Sequence, residues 1–139
     1  MSYSRLLLAA FAAFVVYFVM GGLFFAIGPL RSEYAKYPAV YRSQEAMKSV
    51  MPAGMAGMFV AMIALTVLYA MVFRGRSPLL EGLQFGVLIG VFAICSFVIH
   101  NHVNLNIGLK LTVGQAIAYF IEWVAVGVVI GLIYRPAIG

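Results

Sequence analysis

The chain of 139 residues carries very little charge and contains no aspartate. Lys, Arg and Glu together make up 9% of the sequence, whereas hydrophobic residues make up 65%. Soluble domains average about 25% charged residues, so this composition excludes an ordinary soluble protein. The nine basic residues are spread along the chain, which suits contact with anionic lipid headgroups and gives no support to nucleic-acid binding.

Cysteine is also nearly absent. Because Cys95 is the only one, the chain forms no internal disulfide and has no C-x-x-C pair. The sequence shows no nucleophile–base pair, cofactor fingerprint or complete set of metal ligands, so we assign no catalytic residue and no cofactor. Whether the protein is an enzyme stays open, because no feature of the sequence supports a catalytic activity.

Long apolar stretches account for most of the chain. They lie at about residues 6–30, 49–73, 79–102 and 110–134, each near the roughly 20 residues that an α-helix needs to cross a bilayer. We predict an all-α fold, a polytopic integral membrane four-helix bundle that forms one transmembrane domain over residues 1–139. We expect the first stretch to be a retained span, because it is longer than a typical signal-peptide core.

Glycines recur with a four-residue spacing on the last two predicted spans. They are Gly82, Gly86 and Gly90 on the third span and Gly127 and Gly131 on the fourth. Such G-x-x-x-G units let another helix backbone approach closely. The contact could form inside the monomer or between subunits, and the sequence leaves both open.

Glu122 lies deep inside the fourth predicted span. A charge at the bilayer centre costs about 3 kcal/mol, so Glu122 is either a proton or cation site or a protonated acid that links helices. Gln115, Tyr119 and Glu122 share one helical face, and Tyr17 falls at the same depth when residues are counted to the middle of each span. These four residues form the candidate intramembrane polar site, and we expect Gly90 to leave room for the carboxyl group.

His100 and His102 occur between the third and fourth apolar stretches. Polar and apolar residues alternate over 100–106, which predicts an extended segment with both histidines on one side. Two imidazoles could bind a divalent metal together with Glu33 or Glu45, or His100 could ligate a haem. The alternative is a polar interfacial turn without a ligand.

The connection between the first two spans is the only long one. It carries Tyr34, Tyr37 and Tyr41, which we expect at the level of the lipid headgroups. Four complete spans would put these tyrosines on the same side of the membrane as His100 and His102.

Five methionines follow one face of the second span and the residues just before it. They are Met47, Met51, Met55, Met58 and Met62. We interpret them as adaptable side chains that fill gaps between helices. A thioether path for Cu(I) is the alternative.

Several short motifs sit at the ends of the predicted spans. Gly21-Gly22 and Gly28-Pro29-Leu30 close the first span, Leu79-Leu80-Glu81-Gly82 opens the third, and a turn with several asparagines precedes the fourth. In this layout the chain resembles small four-helix bacterial membrane proteins of the domain-of-unknown-function class. The resemblance implies an all-helical protein of the bacterial inner membrane and supplies no catalytic residue.

Three functions are compatible with these features. The first is a membrane protein that acts through interaction, in contact with lipids, as a homo-oligomer or as an accessory subunit of a membrane complex. The second is a small proton- or cation-coupled transporter or channel that uses Glu122. The third is a membrane oxidoreductase with a metal or haem bound by His100 and His102. We favour the first, because the sequence contains no complete catalytic or ligand set.

Overall fold

The computed structural model describes residues 2–135, and this part of the chain is helical without any strand. The four long helices are α1 (Tyr3–Ala26), α4 (Met51–Val72), α5 (Pro78–Asn104) and α6 (Leu109–Ile133). Two short helices, α2 (Arg31–Ala35) and α3 (Gln44–Met47), lie in the connection between α1 and α4.

Each of the four long helices is long and apolar enough to cross a membrane. Their outer surfaces carry many large apolar side chains, and Met71, Leu88 and Val103 are each more than two-thirds exposed. Apolar surface of this extent is unfavourable in water and is suited to a hydrocarbon surrounding. The four helices therefore indicate an integral membrane protein.

The first predicted span differs from the helix that forms. Residues 6–30 were predicted, whereas α1 runs from Tyr3 and ends at Ala26. Its last turn, Gly22–Ala26, widens to a π-helix, and Ile27 leaves helical geometry with a φ of −123°. The chain thus departs from the helix just before Gly28-Pro29, a pair that disfavours continued helix. The bounds of the other three long helices differ from the predicted spans by one or two residues at each end.

The helices pack in the order α5, α6, α1, α4. The α5–α6 pair is the most extensive contact, followed by α6 with α1 and by α1 with α4, whereas α4 barely reaches α6. Three buried alanines of α1, Ala9, Ala10 and Ala13, belong to the same apolar core as Met62 and Tyr69 of α4. Their small side chains let the neighbouring helices approach the first half of α1 closely.

Glycines form the contact between α5 and α6. A Cβ atom added at Gly82 would lie 2.5 Å from the carbonyl oxygen of Gly127, and one added at Gly86 would lie 2.8 Å from that of Trp123. Gly131 likewise faces the backbone of Pro78 and Gly82. The sequence left open whether the glycine stripes, Gly82 and Gly86 on α5 with Gly127 and Gly131 on α6, pack helices within the monomer or between subunits. In the structure they pack α5 against α6 within the monomer.

The connection between α1 and α4 folds back onto the turn between α5 and α6. Glu33 forms ion pairs with Lys36 at 2.8 Å and with Lys110, at the start of α6, at 2.9 Å. Hydrogen bonds from these two ammonium groups lower the pKa of the Glu33 carboxyl, and the bond from Lys36 has the largest effect. The backbone N–H of Gly108 also donates a hydrogen bond to the Tyr37 hydroxyl at 2.8 Å. Tyr37 and the His100–His102 segment thus lie at the same end of the bundle, as the four-span topology predicts.

Candidate functional site

Glu122 lies in the interior of the bundle, in the middle of α6. Its side chain has an exposed fraction of 0%, and Ala118 and Val126, one turn away on either side, are buried as well. Neither carboxyl oxygen has a hydrogen-bond partner within residues 2–135. Because an unpaired buried carboxylate is very costly, the neutral acid is the form that fits these surroundings.

A glycine of α1 makes the room for this carboxyl group. A Cβ atom added at Gly21 would lie 3.1 Å from Oε1 of Glu122, which is closer than ordinary van der Waals contact. The prediction that Gly90 makes this room is wrong, because a Cβ atom at Gly90 would instead lie 2.9 Å from the ring of Phe120. The packing order explains the difference, since α1 and α5 contact α6 as separate neighbours.

A cavity of about 750 Å³ adjoins Glu122, between α1, α3, the start of α4 and α6. Four aromatic side chains line it, namely Tyr17, Phe18 and Phe25 from α1 and Tyr119 from α6. The Tyr119 ring packs 5.1 Å from the ring of Phe25, measured between centroids. Glu122 therefore adjoins a cavity with largely aromatic walls.

Three methionines complete the opposite wall of the cavity. Met47 comes from α3, and Met51 and Met55 come from the first turns of α4. Met62, further along the same face of α4, is fully buried in the core. The methionine face thus packs between helices in its second half, as interpreted from the sequence, and lines a cavity in its first half.

Polar side chains of α3 and its flank lie at the edge of the cavity. The amide of Gln44 donates a hydrogen bond to the carbonyl oxygen of Ala26 at 3.1 Å, which ties α3 to the π-helical end of α1. Lys48 is paired with Glu45 at 2.8 Å, and both side chains are largely exposed. π-Helical turns are frequent at functional sites, and this one contributes Gly22, together with Phe25 and Ala26, to the cavity wall.

The structure brings together three of the four residues predicted for the polar site. Tyr17, Tyr119 and Glu122 line the same cavity. No hydrogen bond joins either tyrosine to the carboxyl group in the described part of the chain, although we expected the Tyr17 hydroxyl to reach it. The Tyr17 ring instead packs against that of Trp123, with a centroid distance of 5.3 Å.

Gln115, the fourth predicted residue, belongs to a separate polar cluster. Its amide nitrogen donates a hydrogen bond to the Tyr34 hydroxyl at 2.6 Å and lies 3.4 Å from that of Tyr41. Both tyrosines are partly exposed, and their hydroxyl groups turn toward α6; their expected position at headgroup level stays a prediction. Their interaction with Gln115 was missed, because sequence spacing does not show how the connection between α1 and α4 folds back.

The histidine segment has a different conformation from the one predicted. The extended segment is a wrong prediction, because Ile99–Asn104 continues α5 as a helix. Residues two apart on a helix point in nearly opposite directions, so His100 and His102 do not share a side. Within residues 2–135, no group of three or more His, Cys, Asp or Glu side chains is placed to hold a metal ion.

His102 has a structural contact instead. Its Nδ1 atom lies 2.7 Å from the Thr112 hydroxyl, which itself donates to the carbonyl oxygen of Gly108 at 3.3 Å. Which of the two atoms donates in this pair depends on the tautomer of the imidazole. Glu33, proposed as a further metal ligand, is engaged by two lysines.

Comparison of the chain with family models, with curated proteins and with solved structures finds no match. The resemblance to small four-helix bacterial membrane proteins therefore stays a prediction. Any function must follow from the chemistry of the site itself.

Proposed function

We propose that this is an integral membrane protein of the bacterial inner membrane that works as a small proton- or cation-coupled transporter through Glu122. One observation carries the proposal: a buried carboxyl group without a hydrogen-bond partner in the described residues adjoins a cavity of about 750 Å³. Ionisable groups within a membrane span are costly and commonly mark ion or substrate pathways.

The unpartnered carboxyl group argues against a purely structural acid. A protonated glutamic acid that holds helices together would donate its hydrogen bond to a neighbouring helix. Glu122 has no such partner within the described residues, and it faces Gly21 of α1, which offers no side chain. A carboxyl group without such a bond can give up its proton without breaking a contact between helices.

The shape of the site favours a transporter over a channel. The cavity is lined by the second half of α1 and the first turns of α4, whereas the first half of α1 packs tightly through Ala9 and Ala13 into the core around Met62. Glu122 lies between the part of the bundle that contains the cavity and the part that is tightly packed, and its side chain is inaccessible to solvent. Such a site would work by alternating access and not by continuous flow.

The other two hypotheses have less support. The homo-oligomer or accessory-subunit role stays a prediction, but all five glycines that suggested it lie in the α5–α6 contact, Gly90 against the side chain of Phe120. A metal site of the oxidoreductase hypothesis required His100 and His102 on one side, and on the helix they point in nearly opposite directions. A haem on His100 alone stays a prediction.

Infrared spectroscopy of the purified protein in detergent tests the proposal. We expect a band of a protonated carboxyl group at neutral pH that shifts in D₂O and disappears reversibly on alkaline titration. The Glu122→Gln variant, which keeps the size and polarity of the neutral acid, should fold and lack this band. The matched control is Glu81→Gln at the other end of the bundle, which should retain it.

Two results would contradict the proposal. One is an ionised Glu122 at neutral pH, which would mean that a cation partner already neutralises it. The other is a carboxyl band that neither exchanges in D₂O nor titrates, which would make Glu122 a structural acid.

A further inference from the structure

We propose that the cavity beside Glu122 binds hydrophobic organic cations in exchange for the proton of its carboxyl group. The inference rests on the proposed function and names the substrate class of the same site. It depends on the chemistry of the cavity walls, which carry one acidic side chain among aromatic rings and thioethers.

The walls combine one acidic group with aromatic faces. Tyr17, Phe18, Phe25 and Tyr119 line the cavity together with Glu122. A cation is attracted to the face of an aromatic ring, and the attraction is strongest where water is excluded. The cavity thus offers a single negative charge for orientation and apolar area for the remainder of the ligand, within the volume range of pockets for drug-sized molecules.

A hard inorganic cation fits these walls poorly. Hard cations such as Ca²⁺ and Mg²⁺ require six or more oxygen ligands. Among the described residues of the cavity wall Glu122 is the only acidic one, and the other side-chain oxygens there are the Tyr17 and Tyr119 hydroxyls and the Gln44 amide oxygen. A cation that brings its own apolar substituents has no hydration shell to replace, so it is the better match.

The methionine wall indicates tolerance for different ligand shapes. Met47, Met51 and Met55 are unbranched and flexible, and Met51 and Met55 are each 40% exposed. Methionine surfaces adapt to varied apolar partners. We therefore infer a class of cations and not one compound.

The edge of the cavity does not repel such ligands strongly. Lys48 is the only cationic side chain on the cavity wall, and its ammonium group pairs with Glu45 at 2.8 Å. Because Glu122 is occluded, the ligand reaches its carboxyl group only after neighbouring side chains move. The Gln44 hydrogen bond to Ala26 is the contact that would open with α3.

The exchange balances in charge and in protons. The protonated carboxyl group of Glu122 releases one proton to water, and the resulting carboxylate pairs with one bound monocation. No covalent bond other than the O–H bond changes. Each cation bound therefore releases one proton, and the buried site stays neutral throughout.

Binding of tetraphenylphosphonium to the purified protein in weakly buffered detergent tests the inference. We expect saturable binding by calorimetry together with the release of one proton per cation, measured with a pH indicator. Glu122→Gln should lose proton release and bind at least about 100-fold more weakly, because the ion pair in a partly desolvated site is lost. Tyr119→Leu should weaken binding about tenfold through loss of an aromatic face.

Two controls separate charge from apolar partitioning. Tetraphenylborate has the same shape and the opposite charge, and we expect no saturable binding. Glu81→Gln removes a carboxyl group at the other end of the bundle and should bind tetraphenylphosphonium like the wild type.

Equal affinity of the wild type and Glu122→Gln, or binding without proton release, would overturn the inference. Absence of binding would overturn it as well. In that last case a carboxyl band that still titrates and exchanges in D₂O would leave the proposed proton site standing. The two proposals can therefore fail separately.

Discussion

Replacing Gly127 with alanine tests the glycine contact between α5 and α6. The added Cβ atom would lie 2.5 Å from both the carbonyl oxygen of Gly82 and the amide nitrogen of Gly86, whereas ordinary contact begins at 3.4 Å. Both obstacles are backbone atoms, so no side chain can turn away. The helices must separate by about 1 Å, which forfeits a quarter to a half of the dispersion energy at each atom pair along the contact.

The expected loss of stability can be set against a matched control. Overpacking of this kind costs about 1–3 kcal/mol, and we expect the upper part of that range because the backbone cannot rearrange locally. The same substitution in a helix gains up to about 1 kcal/mol from helix propensity. Gly57 of α4 has no atom within 4 Å of an added Cβ, so Gly57→Ala should gain stability from helix propensity and cause no steric clash. The difference between the two variants should therefore be about 2–3 kcal/mol.

Reversible unfolding in detergent, followed by circular dichroism, measures this difference. Gly127→Ala should be less stable than the wild type, and Gly57→Ala should be equally or more stable. Spin labels on the outer faces of α5 and α6 should show a wider separation in Gly127→Ala only. Equal stability of both variants would refute the assignment of the glycine stripes to packing within the monomer.

Three further substitutions test separate parts of the structure. The buried Tyr69 hydroxyl has no hydrogen-bond partner in the described residues, so Tyr69→Phe should raise the stability by about 1 kcal/mol in thermal unfolding, whereas exposed Tyr3→Phe should not change it. A lower stability of Tyr69→Phe would mean that the hydroxyl is bonded after all. Lys36 and Lys110 lower the pKa of Glu33 in the folded protein. The stability that these ion pairs contribute is therefore fully present above the pKa that Glu33 has in the unfolded chain, and it is lost as the pH falls through the lower pKa of the folded protein. Thermal unfolding against pH should show this acid-side loss in the wild type and in Glu45→Gln but not in Glu33→Gln, and identical profiles would contradict it. Gly21→Ala should shift the infrared carboxyl band of Glu122, because the added Cβ lies 3.1 Å from Oε1, whereas Gly22→Ala, with nothing within 4 Å, should leave it unchanged. A band unmoved in both variants would place the carboxyl group elsewhere.

The length of the continuous apolar stretches was enough to predict the four long helices, because a span must satisfy its backbone internally whatever its neighbours are. The spacing of Gly82, Gly86, Gly127 and Gly131 also pointed to a close helix contact, but not to the partner. The partner depends on which helices are adjacent, and helix adjacency is not encoded in the pattern of any single helix. For the same reason Gly90 was assigned to the Glu122 carboxyl in place of Gly21.

The connections were the least predictable part. A two-residue polar alternation around His100 and His102 was taken for an extended segment, whereas α5 simply continues as a helix to Asn104. Short apolar and polar alternations occur by chance in helices, and continuity with a strong preceding helix was the better guide. Gln115 was placed correctly on the buried face of α6, but its partners Tyr34 and Tyr41 come from a distant connection that no local signal links to it.

The space beside Glu122 follows from how small residues are distributed between two helix pairs. On α5 and α6 the glycines of both helices face each other, and the backbones close the gap completely. On α1 the small residues of the first half are alanines that pack into the core, whereas Gly22 in the second half lies on the cavity wall and has nothing within 4 Å of an added Cβ. Glycine thus closes one interface and leaves another open. The carboxyl group of α6 lies beside the open one, where an acid that only linked helices would have no partner to bond.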